Sequence, residues 1–276
     1  MKFNFSDIEI LGKSVPLYGI MCLIGLFFAC LVGILLATKK QKIEFFDFTL
    51  DLITTLIGAF IGAKLLFFIV SWDVVAAIFN EYPFFDALLY VVQGGFVFYG
   101  GLIGGAIGLF AALKIQKKDF FKIVDIYAVA LPLGHAFGRI GCFFSGCCYG
   151  MPYDGWLSFT YTTALDTSTP IGVPLLPVQL IEAGVLFALF ATLLIVYLKA
   201  PKHKGLCSLV YAYGYSIIRF TLEFFRYDAE RGGFLGLSTS QWISVAIFVA
   251  ATVWLILTIV KSKKKKQIKT ESENAG

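Results

Sequence analysis

Long uninterrupted apolar runs are the dominant pattern of this 276-residue chain. A helix needs about 20 apolar residues to cross a bilayer, and four uncharged runs reach or approach that length. They are residues 15–38, 87–113, 183–198 and 240–260. The apolar residues come in runs and do not alternate with polar ones, so the pattern predicts helices rather than the strands of a barrel.

Three further apolar runs contain charged residues, namely 48–72, 123–141 and 207–225. Together with the first four they predict an all-α polytopic membrane protein with about seven transmembrane helices. We expect residues 1–260 to form a single membrane-embedded domain, with an outward-facing loop region at about 142–176. The polar residues 261–276 are expected to form a basic, disordered tail.

Composition agrees with this fold class. Apolar residues make up 58% of the chain and charged residues only 15%, against about 25% in soluble domains. The positive charges lie in clusters between apolar runs. Sixteen Lys and Arg residues fall on one predicted side and four on the other, so the N-terminus is expected outside and the C-terminus in the cytoplasm. This clustering is typical of cytoplasmic helix ends, and we expect no nucleic-acid partner.

Charged side chains within the predicted spans are the first indication of function. Burying one in a bilayer costs at least about 2.5–3.5 kcal/mol, so each needs a partner, a cavity or a ligand. Tyr211, Tyr215, Arg219 and Glu223 follow one another at four-residue spacing and share one helical face. This stripe is compatible with a structural Arg219–Glu223 ion pair and with an anion site in which Glu223 orients Arg219.

A glycine-rich segment precedes the end of the third predicted span. Gly104, Gly105 and Gly108 have the spacing that allows close packing of helices. Gly94, Gly95, Gly100 and Gly101 flank the single tyrosine Tyr99, and we expect non-helical backbone lining a cavity there.

The densest motif lies at the outer end of the fourth span. Residues 138–150 have the sequence GRIGCFFSGCCYG, which resembles the signature G-R-x-G-N-F-x-N-x-E-x-x-G of the prolipoprotein diacylglyceryl transferase family. Cys142, Ser145 and Cys147 depart from it, where the family has Asn, Asn and Glu, and we associate this cysteine-containing form with a branch of the family. Four more segments resemble family blocks in the same order, and they are VPLYG at 15–19, GFVFYGGLIG at 95–104, PVQLIE at 177–182 and RFTLEFFRYD at 219–228.

The resemblance implies an enzyme of lipoprotein biosynthesis. Such an enzyme moves the diacylglyceryl group of phosphatidylglycerol to the lipobox cysteine thiol of prolipoproteins, and glycerol 1-phosphate leaves. The implied partners are phosphatidylglycerol, prolipoprotein signal peptides with a lipobox cysteine, and membrane lipid. The implied location is the bacterial cytoplasmic membrane, as a multi-pass protein. We expect no metal and no cofactor, because guanidinium groups can neutralise the charge on a leaving phosphate.

The resemblance and the residue chemistry together suggest roles. The expected catalytic residues are Arg139, Arg219, Tyr99, His135 and Glu223. The expected substrate-binding residues are Arg139, Tyr18, Gly100, Gln179, Glu182 and Arg226. The general base is open, because Tyr99 stands where many members have His and a tyrosine has a pKa of about 10. His135 is the natural substitute, and Glu182 and Glu223 stay possible.

The six cysteines fall into two groups. Cys22, Cys30 and Cys207 lie in apolar runs and are expected to be small core residues. For the second group, Cys142, Cys147 and Cys148, three hypotheses stand: a disulfide from Cys142 to Cys147 or Cys148, structural thiols, or a metal site with His135.

Other functions are also compatible with the sequence. Intramembrane charges such as Asp51, Lys64 and Asp125 could line the pathway of a transporter or channel, although no inverted repeat is visible. The cysteines could belong to a redox or metal protein. The departures from the signature could mark a divergent family member with another acceptor.

Overall fold

The computed structural model describes residues 2–3, 7–10, 13–200, 203–227 and 233–274. Its helices are α1 (Leu17–Leu35, continued by a π-helical turn at Leu36–Lys40), α2 (Phe45–Val70), α3 (Trp72–Glu81), α4 (Phe84–Gln93), α5 (Phe98–Ile115), α6 (Phe120–Ser145), α7 (Val178–Lys199), α8 (Leu206–Glu223) and α9 (Thr239–Asn274). Its strands are β1 (Lys2–Phe3), β2 (Asp7–Ile10), β3 (Lys13–Pro16), β4 (Phe159–Tyr161), β5 (Pro174–Leu175), β6 (Gly233–Phe234) and β7 (Leu237–Ser238).

Six of these helices are long and apolar enough to cross a membrane, which confirms the all-α polytopic fold class. They are α1 with its extension, α2, α5, α6, α7 and α9 up to Lys261. Helix α8 is also 18 residues long, but its tyrosines, Arg219 and Glu223 make it more polar. Seven membrane crossings and the orientation of the termini therefore stay predictions. Many large apolar side chains on the long helices are exposed, as contact with lipid requires.

The prediction of a continuous third span is wrong. Residues 87–113 do not form one helix, because α4 ends at Gln93 and α5 begins at Phe98. Gly95 between them has φ +64°, a conformation that favours glycine. The expectation of non-helical backbone is confirmed at Gly94 and Gly95 but is wrong at Gly100 and Gly101, which lie in the first turn of α5.

The C-terminal segment also differs from expectation. Helix α9 continues without a break from its apolar part to Asn274, where a disordered tail was expected. Lysine, glutamine and glutamate are good helix formers, so they can extend a helix that the apolar segment has already nucleated.

The chain forms two compact units, residues 34–123 and residues 1–33 with 124–276. In the first unit, α2 packs closely against α5 at glycines of both helices. A Cβ atom on Gly104 would collide with the carbonyl oxygen of Gly58, and one on Gly100 with that of Gly62. This contact confirms that the glycine spacing serves helix packing.

Charged residues inside the first unit have local partners. The Asp51 carboxylate is buried and accepts hydrogen bonds from Gln116 Nε2 at 2.7 Å and Lys118 Nζ at 2.7 Å. Lys64 Nζ donates to the carbonyl oxygens of Val91, at 2.7 Å, and Gly94. These contacts compensate the charges of Asp51 and Lys64, so neither residue needs a transport pathway to explain its position.

The second unit contains α1 up to Gly33, α6 from Val124 onward, and α7–α9. Helices α1 and α6 approach closely at Gly25 and Gly134. The Asp125 carboxylate of α6 accepts hydrogen bonds from Gly205 N, the residue before α8, at 2.6 Å and from Ser208 N in its first turn at 2.8 Å. Asp125 therefore satisfies backbone donors that the start of a helix leaves without partners.

The segment between α6 and α7 is a small ordered subdomain of the second unit. Strand β4 pairs with β1 in parallel and with β5 antiparallel. A buried cluster of side chains lies beneath this sheet, and its members are Phe143, Tyr149, Phe159, Tyr161 and Leu175. Phe143 is on the last turns of α6, so the cluster fixes the loop that follows α6 to that helix.

Candidate active site

Two guanidinium groups from different helices meet at one buried carboxylate. Glu182, on α7, is 1% exposed. Its Oε1 lies 3.0 Å from Nε of Arg139 on α6, and its Oε2 lies 3.9 Å from Nη1 of Arg219 on α8. The structure thus brings together the two arginines that the sequence places on separate spans.

A second carboxylate and a hydroxyl fix the position of Arg219. Its Nη2 lies 2.5 Å from Glu223 Oε2, one turn further along α8. The same nitrogen donates a hydrogen bond to Ser240 Oγ on α9 at 3.0 Å. Sequence reasoning missed Ser240, because a serine in the first turn of a helix is ordinarily a capping residue.

His135 lies beside the same carboxylate. Its Nε2 is 4.0 Å from Glu182 Oε1, and its ring centroid is 5.3 Å from that of Tyr215. Tyr215 in turn stacks on Tyr211 at 5.8 Å. The polar stripe of α8 therefore points towards α6 and α7, inside this unit, as its spacing predicts.

Gln179 connects α7 to the loop after α6. Its Nε2 donates to the Cys147 carbonyl oxygen at 2.7 Å and lies 3.4 Å from the Tyr161 hydroxyl. The Gln179 Oε1 atom is buried and has no hydrogen-bond partner in the described part of the chain. Tyr161 did not emerge from the sequence, because nothing near it in the chain signals its long-range contact.

The disulfide hypothesis is wrong in this structure. All six cysteines lie in the described residues, and no disulfide joins any of them. The sulfur atoms of Cys142, Cys147 and Cys148 instead lie within 4.8 Å of one another. His135 is not part of this group in the residues that the structure describes.

The loop position of Cys148 favours its thiolate form. Hydrogen bonds from the Cys142 and Cys147 thiols lower the pKa of Cys148, and the nearby positive charges of Arg226 and Arg139 act in the same direction. Burial opposes this effect, because it disfavours the charged form.

Arg226 and Tyr18 lie at the margins of the same unit. The backbone of Arg226 forms an isolated bridge with Gly150, which joins the end of α8 to the loop after α6. Tyr18 is in the first turn of α1 and contacts Gly141, where an added Cβ would lie 3.1 Å from the tyrosine ring.

Tyr99 and Gly100 belong to the other unit, in the first turn of α5. Gly100 is buried against α2, so its place is explained by helix packing. Tyr99 is half-buried, with its ring 5.8 Å from that of Phe98. Their catalytic and binding roles stay predictions.

The arrangement can bind an anion. Nη1 of Arg219 is buried and has no hydrogen-bond acceptor in the described residues, although Glu182 compensates its charge from 3.9 Å. A buried donor of this kind costs free energy unless a ligand or water accepts its hydrogen bond. A planar guanidinium presents paired donors that match the oxygens of a phosphate.

Comparison with known proteins decides the family. A sequence model described as prolipoprotein diacylglyceryl transferase matches residues 7–257. The chain belongs to the prolipoprotein diacylglyceryl transferase family. It is 34% identical over 263 residues to phosphatidylglycerol–prolipoprotein diacylglyceryl transferase 2 of Clostridium perfringens, which covers 93% of this chain and 96% of that protein.

Two further relatives of this diacylglyceryl transferase carry the same name without the number. The protein of Clostridium tetani is 33% identical over 240 residues, covering 86% of this chain and 90% of its own length. That of Finegoldia magna is 30% identical over 261 residues, covering 94% and 95%. The chain is therefore a transferase and a multi-pass membrane protein.

Proposed function

We propose that this protein transfers the diacylglyceryl group of phosphatidylglycerol to the lipobox cysteine thiol of prolipoproteins and releases glycerol 1-phosphate. We place the reaction at the outer leaflet of the bacterial cytoplasmic membrane. The names of the relatives support the donor and the acceptor class, and the matches cover 90–96% of those relatives.

The observation that carries the proposal is the convergence of Arg139 and Arg219 on Glu182. We assign both guanidinium groups to the phosphodiester of the donor lipid. Glu182 keeps the two positive charges together in the absence of lipid and orients Arg139. Glu223 and Ser240 orient Arg219, so that its remaining donor is available to a phosphate oxygen.

The chemistry needs a nucleophile from the substrate. The thiol sulfur attacks the glyceryl carbon, a sulfur–carbon bond forms, and the carbon–oxygen bond to phosphate breaks with its electron pair on oxygen. The guanidinium groups neutralise the charge on the departing phosphate, where preorganised donors are most effective. We assign the acceptor of the thiol proton to His135, because it lies beside Glu182 within the same unit.

The transporter alternative loses its main argument. Asp51 and Lys64 have partners within one unit, and Asp125 caps α8. No observation in the described residues favours a pathway across the membrane over these structural roles.

The experiment is complementation of a strain depleted of its own transferase, read by the mass of a reporter prolipoprotein. The wild-type chain is expected to add the mass of a diacylglyceryl group, and Arg139→Ala and Arg219→Ala to add none. Arg139→Lys is also expected to fail, because an ammonium group cannot donate the paired hydrogen bonds. Lys199→Ala is the control, since this exposed residue is at the opposite end of α7 from Glu182.

Wild-type rates in either alanine variant would contradict the phosphate assignment. A reporter in which serine replaces the lipobox cysteine must stay unmodified. If the wild-type chain modifies no lipobox reporter, the acceptor assignment is wrong and a divergent member with another acceptor is supported.

A further inference from the structure

Three thiols next to the arginine site have no role in the phosphate assignment. Cys142 is on the last turn of α6, and Cys147 and Cys148 are in the loop that follows it. Their sulfur atoms lie within 4.8 Å of one another. Tetrahedral zinc, with zinc–sulfur bonds of about 2.3 Å, places two sulfur ligands about 3.8 Å apart. A contraction of about 1 Å, within reach of side-chain rotation, would bring all three sulfurs to one ion.

Contacts from several elements fix the loop that carries the thiols. Ser145 Oγ donates to Cys147 Sγ at 3.1 Å, and Gln179 Nε2 donates to the Cys147 carbonyl oxygen. Thr169 Oγ1 donates to the Gly146 carbonyl oxygen at 3.1 Å. Cys148 itself has φ +62°, in the left-handed region that side chains rarely adopt. Such strain persists only where the surroundings determine the conformation.

The charges around the thiols favour bound metal. Three thiolates and one zinc ion carry a net charge of −1. Arg139 is one helical turn before Cys142 on α6, and the charges of Arg139 and Arg226 both act on Cys148. Their positive charges compensate the anionic complex, which is otherwise costly to bury.

We propose that Cys142, Cys147 and Cys148 bind a zinc ion whose fourth coordination position takes the acceptor thiol. Thiolates select zinc over hard cations, and zinc sites with three protein ligands keep one position open for a reactant. This inference rests on the proposed function, because it specifies how the prolipoprotein thiol reaches the arginine site.

Bound zinc would explain how the acceptor thiol becomes ionised near neutral pH. A thiol with a pKa of about 8.5 is only about 3% thiolate at pH 7. Coordination to zinc deprotonates a thiol. The proton goes to His135, the acceptor assigned above, and then to water. The zinc-bound sulfur forms its bond to the glyceryl carbon, the carbon–oxygen bond to phosphate breaks, and the thioether product leaves the metal. No electron is gained or lost by zinc.

Metal binding is measured first, on the full chain purified in detergent. After incubation with zinc and removal of the excess, mass spectrometry of the metal content is expected to give one zinc per chain. Cobalt(II) in its place is expected to give thiolate-to-metal charge-transfer absorption and the visible bands of a tetrahedral site. No stoichiometric zinc in the wild-type chain, or a cobalt spectrum without thiolate charge-transfer bands, overturns the proposal.

Variants separate the site from adventitious binding. Cys142→Ser and Cys147→Ser are expected to lose the zinc, whereas Cys30→Ser on α1 retains it, because Cys30 is not part of the thiol group. Cys147→His is expected to restore binding, since imidazole also ligates zinc. That result shows that the serine variants lose a ligand and not the fold. Equal zinc content in Cys147→Ser and the wild type overturns the proposal.

Activity is measured across pH with and without the metal. Removing zinc with a chelator is expected to reduce transfer by up to about 30-fold at pH 7 and by far less at pH 9, because the free thiol ionises on its own there. Zinc restores the rate. Transfer that proceeds unchanged after stoichiometric zinc has been removed overturns the metal proposal and leaves the proposed function intact. Stoichiometric zinc with the expected cobalt spectrum, but no transfer by the wild type, contradicts the proposed function and leaves the metal site standing.

Discussion

Glu182 is the residue on which the candidate site depends most. It is almost completely buried and compensates two arginines from two other helices. Removing one partner from a buried ion pair costs about 3–5 kcal/mol, because the remaining charge stays desolvated. At Glu182 the loss would affect two guanidinium groups at once, so its removal should be more harmful than that of an ordinary surface carboxylate.

Glu182→Gln tests this position with little change of shape. The amide cannot neutralise Arg139 and Arg219, which should then separate from each other. We expect the rate of reporter transfer to fall about 100-fold, since a displacement of about 1 Å in a catalytic group can have that effect. We also expect the temperature of unfolding in detergent to decrease. Adding Gln179→Glu, on the preceding turn of α7, to the Glu182→Gln variant is expected to restore neither the transfer rate nor the temperature of unfolding. Unchanged transfer and unchanged unfolding would show that the arginines do not need this carboxylate.

Ser240 offers a finer test of how Arg219 is oriented. Its hydroxyl accepts a hydrogen bond from a charged donor, an interaction worth about 1.5–3 kcal/mol. Ser240→Ala is therefore expected to lower kcat/KM of transfer roughly 10-fold, with Glu223 still retaining Arg219 nearby. Ser244→Ala, one turn later on α9, is the matched control, because the Ser244 hydroxyl bonds only the Ser240 carbonyl oxygen in the described residues. Equal effects of the two changes would mean that helix packing, not Arg219, explains the loss.

At the scale of elements, the contact between α2 and α5 rests on the absence of side chains. Gly104 lies against the backbone of Gly58 and Gly62, whereas Gly101 has its nearest neighbour, Ala59 O, at 3.5 Å from an added Cβ. The two glycines are on the same helix and differ in the space around them. Substituting each of them by alanine therefore distinguishes the effect of close helix packing from the effect of simply losing a glycine.

Gly104→Ala is expected to destabilise the protein by about 1–3 kcal/mol, because the added methyl forces the two helices apart. Gly101→Ala should be neutral or slightly stabilising, since alanine is the better helix former. Thermal unfolding of the two variants in the same detergent measures the difference. A tolerated Gly104→Ala would mean that the helices can separate without cost.

The apolar runs predict the long helices well, because length and hydropathy are local properties of the sequence. The break at Gly94 and Gly95 within an apparent span was partly visible in its glycines. The extension of α9 was not, since a basic polar segment alone does not show whether a preceding helix continues. The sequence offered Asp125 only as a charge that could line a pathway in the transporter alternative, because its capping role depends on Ser208, more than 80 residues away in the chain.

At the scale of the molecule, the candidate site was predictable only in its parts. Arg139, Arg219, Glu182 and Glu223 stand out because charged residues are rare in apolar runs. Their meeting at one carboxylate required the packing of α6, α7 and α8, which no local pattern contains. The cysteines illustrate the same limit: their spacing allowed a disulfide, but the end of α6 and the loop after it place three separate thiols in one group.

The polar helix α8 decides the topology of the whole chain. It carries Arg219 and Glu223, and it must cross the membrane if the odd number of spans and the charge distribution are to agree. Its polar stripe contacts α6, α7 and α9. These contacts compensate the cost of placing the polar side chains of α8 within the membrane.

Alkaline phosphatase fusions test this crossing, because the enzyme is active only outside the cytoplasm. A fusion after His203, before α8, is expected to be inactive, and one after Tyr227, beyond its end, to be active. Fusions after Lys117 and after Asp154 are the matched pair for α6, expected to be inactive and active. Because α6 is long and apolar enough to span on its own, its pair calibrates the method. Equal phosphatase activity on both sides of α8 would reduce the spans to six and place both termini on one side. The Lys-rich end of α9 would then lie on the same side of the membrane as the N-terminus, against the charge distribution.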